Sequence, residues 1–164
     1  MTEQTILISA CLMGIECRYD GTGKAVPELQ KILEGYQVVT VCPETLGGLV
    51  APRPPAEIQG GAGPEVLAGT AGVFNREGRE CTAEFIRGAE AVLQLVRQYQ
   101  PLLVILKAKS PSCGVGAIYD GSFSGRLQPG DGVTAALLKR NGVKVYSETE
   151  FLERLLQKLE KNNS

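Results

Sequence analysis

Histidine is absent from the 164 residues, and so is tryptophan. Without an imidazole there is no Ser-His-Asp triad, no Cys-His dyad, no His-containing zinc site and no histidine base. A metal must then be held by thiolate or carboxylate, and a proton moved by Asp, Glu, Lys, Tyr or Cys. A cationic surplus is missing as well. Seventeen Lys and Arg face eighteen Asp and Glu, which argues against duplex nucleic acid held through its phosphates, though a small anionic ligand stays compatible. No apolar run approaches the ~20 residues of a membrane span. The stretch Met1-Thr2-Glu3-Gln4 carries no basic segment ahead of such a run. The expectation is a cytoplasmic protein away from membranes. Cys-x-x-Cys pairs are also lacking, and five cysteines, an odd number, fit a reducing compartment better than a disulfide framework.

What is present fits one globular domain over residues 1–164, with 43% apolar and 21% charged residues and enough length to bury a core. Thr5-Ile6-Leu7-Ile8-Ser9, Val38-Val39-Thr40-Val41, Leu102-Leu103-Val104-Ile105-Leu106 and Val143 to Tyr146 read as strands. The third is apolar throughout, as a strand covered on both faces should be. Between them, Pro27 opens a short helix through Leu29, Ile32 and Leu33. Thr82 caps a longer one bearing Phe85, Ile86, Ala89, Val92, Leu93 and Val96, and Asp131 to Arg140 forms a third that Asn141-Gly142 stops. Ser147 and Glu150 have capping-box spacing before a last amphipathic helix through Leu152, Leu155, Leu156 and Leu159. Alternating strands and helices predict an α/β, Rossmann-like three-layer domain with a mainly parallel sheet. A long Gly/Pro-rich insertion interrupts it, in which Glu65 to Leu67 and Gly72 to Asn75 read as an irregular hairpin.

Three cysteines share one address in this scheme. Cys11 follows the first strand, Cys42 the second, and Cys113 lies in the Ser110-Pro111-Ser112-Cys113-Gly114 turn after the third. Ligands of open parallel sheets bind beyond the carboxyl ends of the strands. A cysteine is ordinarily a small buried hydrophobe, and Cys81 keeps that reading beside its helix start, whereas Cys17 is intermediate. If three thiolates converge without histidine, soft-metal chemistry is favoured, either an iron–sulfur cluster or zinc.

The segments Ser9-Ala10-Cys11-Leu12-Met13-Gly14, Arg18-Tyr19-Asp20-Gly21, Val41-Cys42-Pro43-Glu44-Thr45-Leu46-Gly47-Gly48-Leu49, Pro52-Arg53-Pro54-Pro55-Ala56-Glu57-Ile58, Ser110-Pro111-Ser112-Cys113-Gly114 and Ile118-Tyr119-Asp120-Gly121-Ser122-Phe123 occur in order. Together they resemble the thiouracil desulfurase (TudS) family over about residues 5 to 148. The resemblance implies a 4Fe-4S cluster held by Cys11, Cys42 and Cys113, with Cys17 and Cys81 outside the ligand set. It also implies non-redox removal of sulfur from a thiolated uracil or thiouridine monophosphate, giving uracil or UMP and hydrosulfide. An open iron would bind the substrate sulfur and polarise the carbon bearing it. Glu44, two residues after a ligand, is the candidate base for water attack, with Ser110 or Ser112 orienting it or stabilising the intermediate. Asp20 and Lys24 are candidate substrate contacts, a loop salt bridge being the alternative. Arg53 is a candidate for a uracil carbonyl or a phosphate, and Lys107 and Lys109 for phosphate. Two rival readings are a non-enzymatic iron–sulfur or zinc protein, favoured by a fourth thiolate from Cys17, and a cofactor-free enzyme with Cys113 as nucleophile.

Overall fold

The computed structural model describes residues 4–162, so the reading of Met1 to Glu3 and the side chain of Leu159 lie outside it. In chain order the elements are β1 (Thr5–Ser9), a 3-10 turn (Ala10–Met13), α1 (Pro27–Ile32), β2 (Gln37–Val41), α2 (Pro43–Leu46), β3 (Ala56–Gln59), α3 (Gly63–Ala68) and β4 (Gly72–Asn75). They continue with α4 (Thr82–Tyr99), β5 (Leu103–Leu106), β6 (Ala117–Tyr119), β7 (Leu127–Pro129), α5 (Val133–Arg140), β8 (Val145–Ser147) and α6 (Glu148–Asn162). The result is a mixed α/β fold around a parallel sheet of order β2-β1-β5-β8.

Alternation along the strands explains the layering. Leu7 and Val104, partners in register, face a core with Phe85, Ala89 and Val92 of α4 and Leu137 and Leu138 of α5. Ile8 and Ile105, the next pair, face the opposite way, onto Leu12, Leu29 and Leu33 with Phe151 of α6 beside them. Each such fully buried aliphatic or aromatic side chain contributes roughly 1.5–3 kcal/mol of transfer free energy. Both sheet faces are therefore covered, as the unbroken apolar run of β5 requires.

Sheet order also creates the site. From β1 the chain moves to β2 on one side and returns to β5 on the other, so the strand order reverses between β1 and β5. Crevices open at such a reversal beyond the carboxyl ends of the strands. Ser9 and Val41 stand opposite each other at those ends, with Cys11 and Cys42 just past them. Beyond β5 the chain needs a longer loop to bring Cys113 to the same edge.

The expected hairpin forms with a different partner. Gly72–Asn75 pairs antiparallel with Ala56–Gln59, inside the Pro-rich stretch, while Glu65 to Leu67 belongs to α3. Pro64 sits in the first helical turn, and Glu65 Oε1 accepts from the Ala62 N–H at 2.8 Å. A Pro and a capping Glu thus start a helix that sparse hydrophobicity hid. Thr82 is likewise not the cap of α4. Cys81 occupies that position, and Thr82 Oγ1 accepts from the Val73 N–H at 2.9 Å, tying α4 to β4. The Ser147 cap is present, its Oγ accepting from the Glu150 N–H at 3.0 Å.

The short helix α2, which carries Glu44, is fixed by backbone contact with α4. A Cβ on Gly88 would lie 1.9 Å from the Pro43 carbonyl oxygen, and one on Gly47 would lie 1.9 Å from that of Glu84. Neither obstacle is a movable side chain. Gly88→Ala is therefore expected to cost at least the roughly 1–3 kcal/mol typical of overpacking, lowering the melting temperature by about 2–4 °C per kcal/mol. A calorimetric scan matching the wild type would contradict this packing.

Candidate active site

Cys11, Cys42 and Cys113 line one cavity of about 630 Å³ at the carboxyl edge of the sheet, and Cys17 joins them. Cys11 and Cys113 are buried, at 7% and 4% exposure. They stand at strand exits, yet they are packed as deeply as core residues. Among the described residues no three Cys, Asp or Glu side chains converge on one point, as a single metal ion would require. A cubane asks for a different arrangement, because each thiolate binds a different iron and the sulfurs span the cluster. Four thiols around one cavity, with no histidine in the chain, suit that donor chemistry.

Hydroxyl groups surround the sulfurs. Ser9 Oγ accepts from the Lys107 N–H at 2.9 Å and donates to Cys113 Sγ at 3.5 Å. Thr45 Oγ1 donates to Cys42 Sγ at 3.2 Å. Such donors stabilise thiolates and tune a bound metal. Sequence reasoning assigned no role to Ser9 or Thr45, although both lie in segments it quoted, because a hydroxyl beside a strand end is ordinary until its partner is known.

Three of the cavity thiols hold their protons more firmly than an ordinary cysteine. Burial above all pushes Cys113 up to about 11, against the hydrogen bonds from Ser9 and Ser112. The neighbouring Cys17 thiol, followed by burial, drives Cys42 well above the usual cysteine range. Cys17 is itself raised, first by the Cys11 thiol. Ligation by iron must displace these protons.

Cys81 is separate. It is buried, donates to the Val73 carbonyl oxygen at 3.6 Å, and is pushed up to about 11 chiefly by burial. Since folding tightens its hold on the proton, its contribution to stability is complete below pH 9 and lost as pH rises through about 11. Iodoacetamide at pH 8 is expected to spare Cys81 in the folded protein and alkylate it after denaturation. Peptide mapping that found it modified in the native state would refute this placement.

Glu44 stands at the first turn of α2, within the cavity wall. Its Oε1 meets Arg53 Nη2 at 3.1 Å and accepts from Arg53 Nε at 3.2 Å, and its Oε2 accepts from Ser112 Oγ at 3.2 Å. Ser112 is fully buried, and its one hydroxyl proton has two acceptors within reach, Glu44 Oε2 and Cys113 Sγ at 3.6 Å, with Ser110 Oγ 3.2 Å away. Ser110 Oγ in turn accepts from the Cys113 N–H at 2.7 Å. The two serines thus link the Cys113 turn to the Glu44 carboxylate.

Arg53 is largely engaged by protein groups, through four of its five N–H donors. Besides Glu44, it donates to the Val50 carbonyl oxygen at 2.9 Å and to that of Cys17 at 3.1 Å. Its guanidinium supports the carboxylate and the first loop, where the sequence suggested a substrate contact. Asp20 does not reach the cavity lining. It is exposed, caps its own turn by accepting from Thr22 Oγ1 at 2.6 Å and the Thr22 N–H at 3.1 Å, and is lowered first by that Thr22 hydroxyl. Lys24, Lys107 and Lys109 do line the cavity, with Arg18 and Arg76 beside them. Lys107 Nζ is shared between the Ala108 carbonyl oxygen at 3.0 Å and Glu148 at 4.0 Å. The lining counts six cationic side chains against Glu44 and Glu57, a local surplus in a chain of near-zero net charge.

A profile of the family described as 2-thiouracil desulfurase matches residues 6–150. The chain belongs to the 2-thiouracil desulfurase family. Among its relatives in that family is the Bacillus subtilis (strain 168) protein YbbK, 48% identical over 146 residues, covering 89% of this chain and 97% of YbbK. The solved structure of a 4Fe-4S-dependent thiouracil desulfidase, TudS, aligns with a TM-score of 0.81 at 43% identity, covering 96% of this chain and 99% of that one. The matched family segment spans every cavity thiol, Glu44 and both serines. No helix among the described residues is long and apolar enough to cross a membrane.

Proposed function

We propose that the protein removes sulfur from a thiolated uracil or its nucleoside monophosphate by hydrolysis, giving the uracil and hydrosulfide, at a 4Fe-4S cluster held by Cys11, Cys42 and Cys113 on a Rossmann-like three-layer scaffold. The observation that carries this reading is a thiol-lined cavity in which a carboxylate, fixed by Arg53 and Ser112, stands beside the sulfurs. Family membership and the TudS structure support it. When bound, the cluster would supply an iron free of protein thiolate, a Lewis acid for the substrate sulfur. The chain's own residues do the rest.

Glu44 Oε2 takes a proton from the attacking water while Arg53 keeps the carboxylate in place. Arg53 engages Oε1 twice, which leaves a lone pair free on Oε2, and Ser112 orients that oxygen. Ser9 and Thr45 hold the sulfurs of Cys113 and Cys42 through their hydroxyl protons. Lys24, Lys109 and Arg76 give the cavity its positive wall, which favours an anionic substrate such as the monophosphate over the neutral base. Protein purified anaerobically is expected to contain roughly four iron and four labile sulfide per chain, as a single cubane requires. Stoichiometric zinc in a colourless folded protein would overturn the cluster.

One observation favours a second reading. Cys17 lines the same cavity as the other three thiols, and Cys42 Sγ donates to its carbonyl oxygen at 3.8 Å, so a closed, four-thiolate structural site is the alternative to an open catalytic one.

A further inference from the structure

The turn between β6 and β7 holds Asp120-Gly121-Ser122-Phe123, and desulfuration as described gives it no task. Its backbone is strained. Phe123 has φ of +56°, in the left-handed region that a bulky residue occupies only when its surroundings hold it there. Glu57 of β3 is the holder. The residue is 8% exposed, and its Oε1 accepts from the Gly121 N–H at 2.9 Å and the Phe123 N–H at 3.1 Å. Burying a carboxylate is costly, and this one is aimed at two amides of a loop. The conformation it fixes puts Phe123 on the wall of the thiol-lined cavity, with the Arg76 guanidinium 5.7 Å from the ring centroid.

We propose that Phe123 is the stacking surface for the pyrimidine ring of the substrate, and that Glu57 is its positioning residue. The identity of the ring rests on the desulfuration reading. A thiopyrimidine held only through its sulfur would be free to swing about that contact. A flat aromatic partner fixes its plane, and with it the face that the carbon presents to water. Tyr19 and Tyr119 also line the cavity, but neither has a strained backbone, and Tyr19 lies 40% exposed at the mouth. Stacking selects planar heteroaromatic thiones and gives no purchase on an aliphatic thioamide.

The test compares Phe123→Leu, Phe123→Gly, Phe123→Tyr and Glu57→Gln in the cluster-loaded full-length protein. Equilibrium dialysis against 2-thiouracil, with each change combined with Glu44→Gln so that the ligand is not consumed, gives Kd; steady-state kinetics of the single variants give KM and kcat, and melting is recorded alongside. Phe123→Leu and Phe123→Gly should raise Kd and KM by roughly 5- to 150-fold, the range of one base–aromatic stack. The loss should fall on KM more than on kcat. Phe123→Tyr should bind as the wild type does, and Glu57→Gln should weaken binding in the same direction as Phe123→Gly. Glycine tolerates φ of +56° without strain, so Phe123→Gly should melt no lower than the wild type. A merely structural phenylalanine would show the reverse, a lower melting temperature with unchanged Kd, and would overturn the proposal. Wild-type protein that binds 2-thiouracil but never releases uracil would overturn the desulfuration reading alone, with dialysis still deciding on Phe123.

Discussion

Glu44→Gln is expected to keep its iron and lose its turnover. The amide preserves the shape of the side chain, and its one carbonyl oxygen can still accept from Arg53, which lies 3.1–3.2 Å from Glu44 Oε1, while the NH2 group takes the place of Oε2 and donates to Ser112 Oγ. It cannot take a proton from water. Desulfuration should fall by roughly the 10²–10⁴-fold typical of a lost general base, while visible absorbance and its perturbation by thiouracil persist. Arg53 would remain buried, its side chain 7% exposed, with a neutral partner in place of a carboxylate. A lower melting temperature is therefore expected as well, because a buried cation that loses its counter-charge is destabilising. The bonds to the Val50 and Cys17 carbonyl oxygens limit the fall. Turnover near the wild-type rate would remove Glu44 from proton transfer. Loss of iron would make its role structural.

The second large effect separates the thiols. Cys11→Ser, Cys42→Ser and Cys113→Ser should each lose cluster and activity, since a cubane with two thiolates is poorly held and serine is a hard, protonated donor. Cys81→Ser should keep both, being buried against Val73 and outside the lining of the thiol cavity. Cys17 decides between the two readings of the site. Its place in the same cavity wall makes it a neighbour of the three proposed ligands, and Cys17→Ser is expected to retain roughly the full iron content with a slightly shifted spectrum. If that variant were stripped as completely as the other three, a closed four-thiolate site would be the better account, and no iron would be left for substrate. Iron analysis of the five variants, prepared anaerobically side by side, measures this.

Much of the scaffold could be read from local pattern. A continuous apolar run marked β5 as a doubly covered strand, β1 read as a strand beside it, and the rule for open parallel sheets pointed to the edge where the thiols after the strands gather. The insertion could not be read in the same way. Residues 60 to 81 carry weak periodicity, and β4 found its partner in Ala56–Gln59, where flanking prolines suggested a fixed loop. Within the site, the residue types were visible but their pairings were not. Arg53 looked available to substrate because nothing local shows that Glu44, nine residues away in sequence, would claim it. Asp20 looked functional for the same reason, and it satisfies its own turn instead. Ser9 and Glu57 were missed because their partners, Cys113 and the Gly121–Phe123 amides, lie 104 and 64–66 residues away. Long-range hydrogen bonds leave no local signature.

Hydrolytic desulfuration is tested by a product balance. Cluster-loaded protein is incubated anaerobically with 2-thiouracil, and separately with thiouridine monophosphate, without reductant or oxidant, and uracil or UMP is quantified against hydrosulfide. The two products should appear in equal amounts over many turnovers, with the cluster spectrum restored when substrate is exhausted. Unchanged substrate in the presence of an intact cluster, or release that requires an added electron donor, would contradict it.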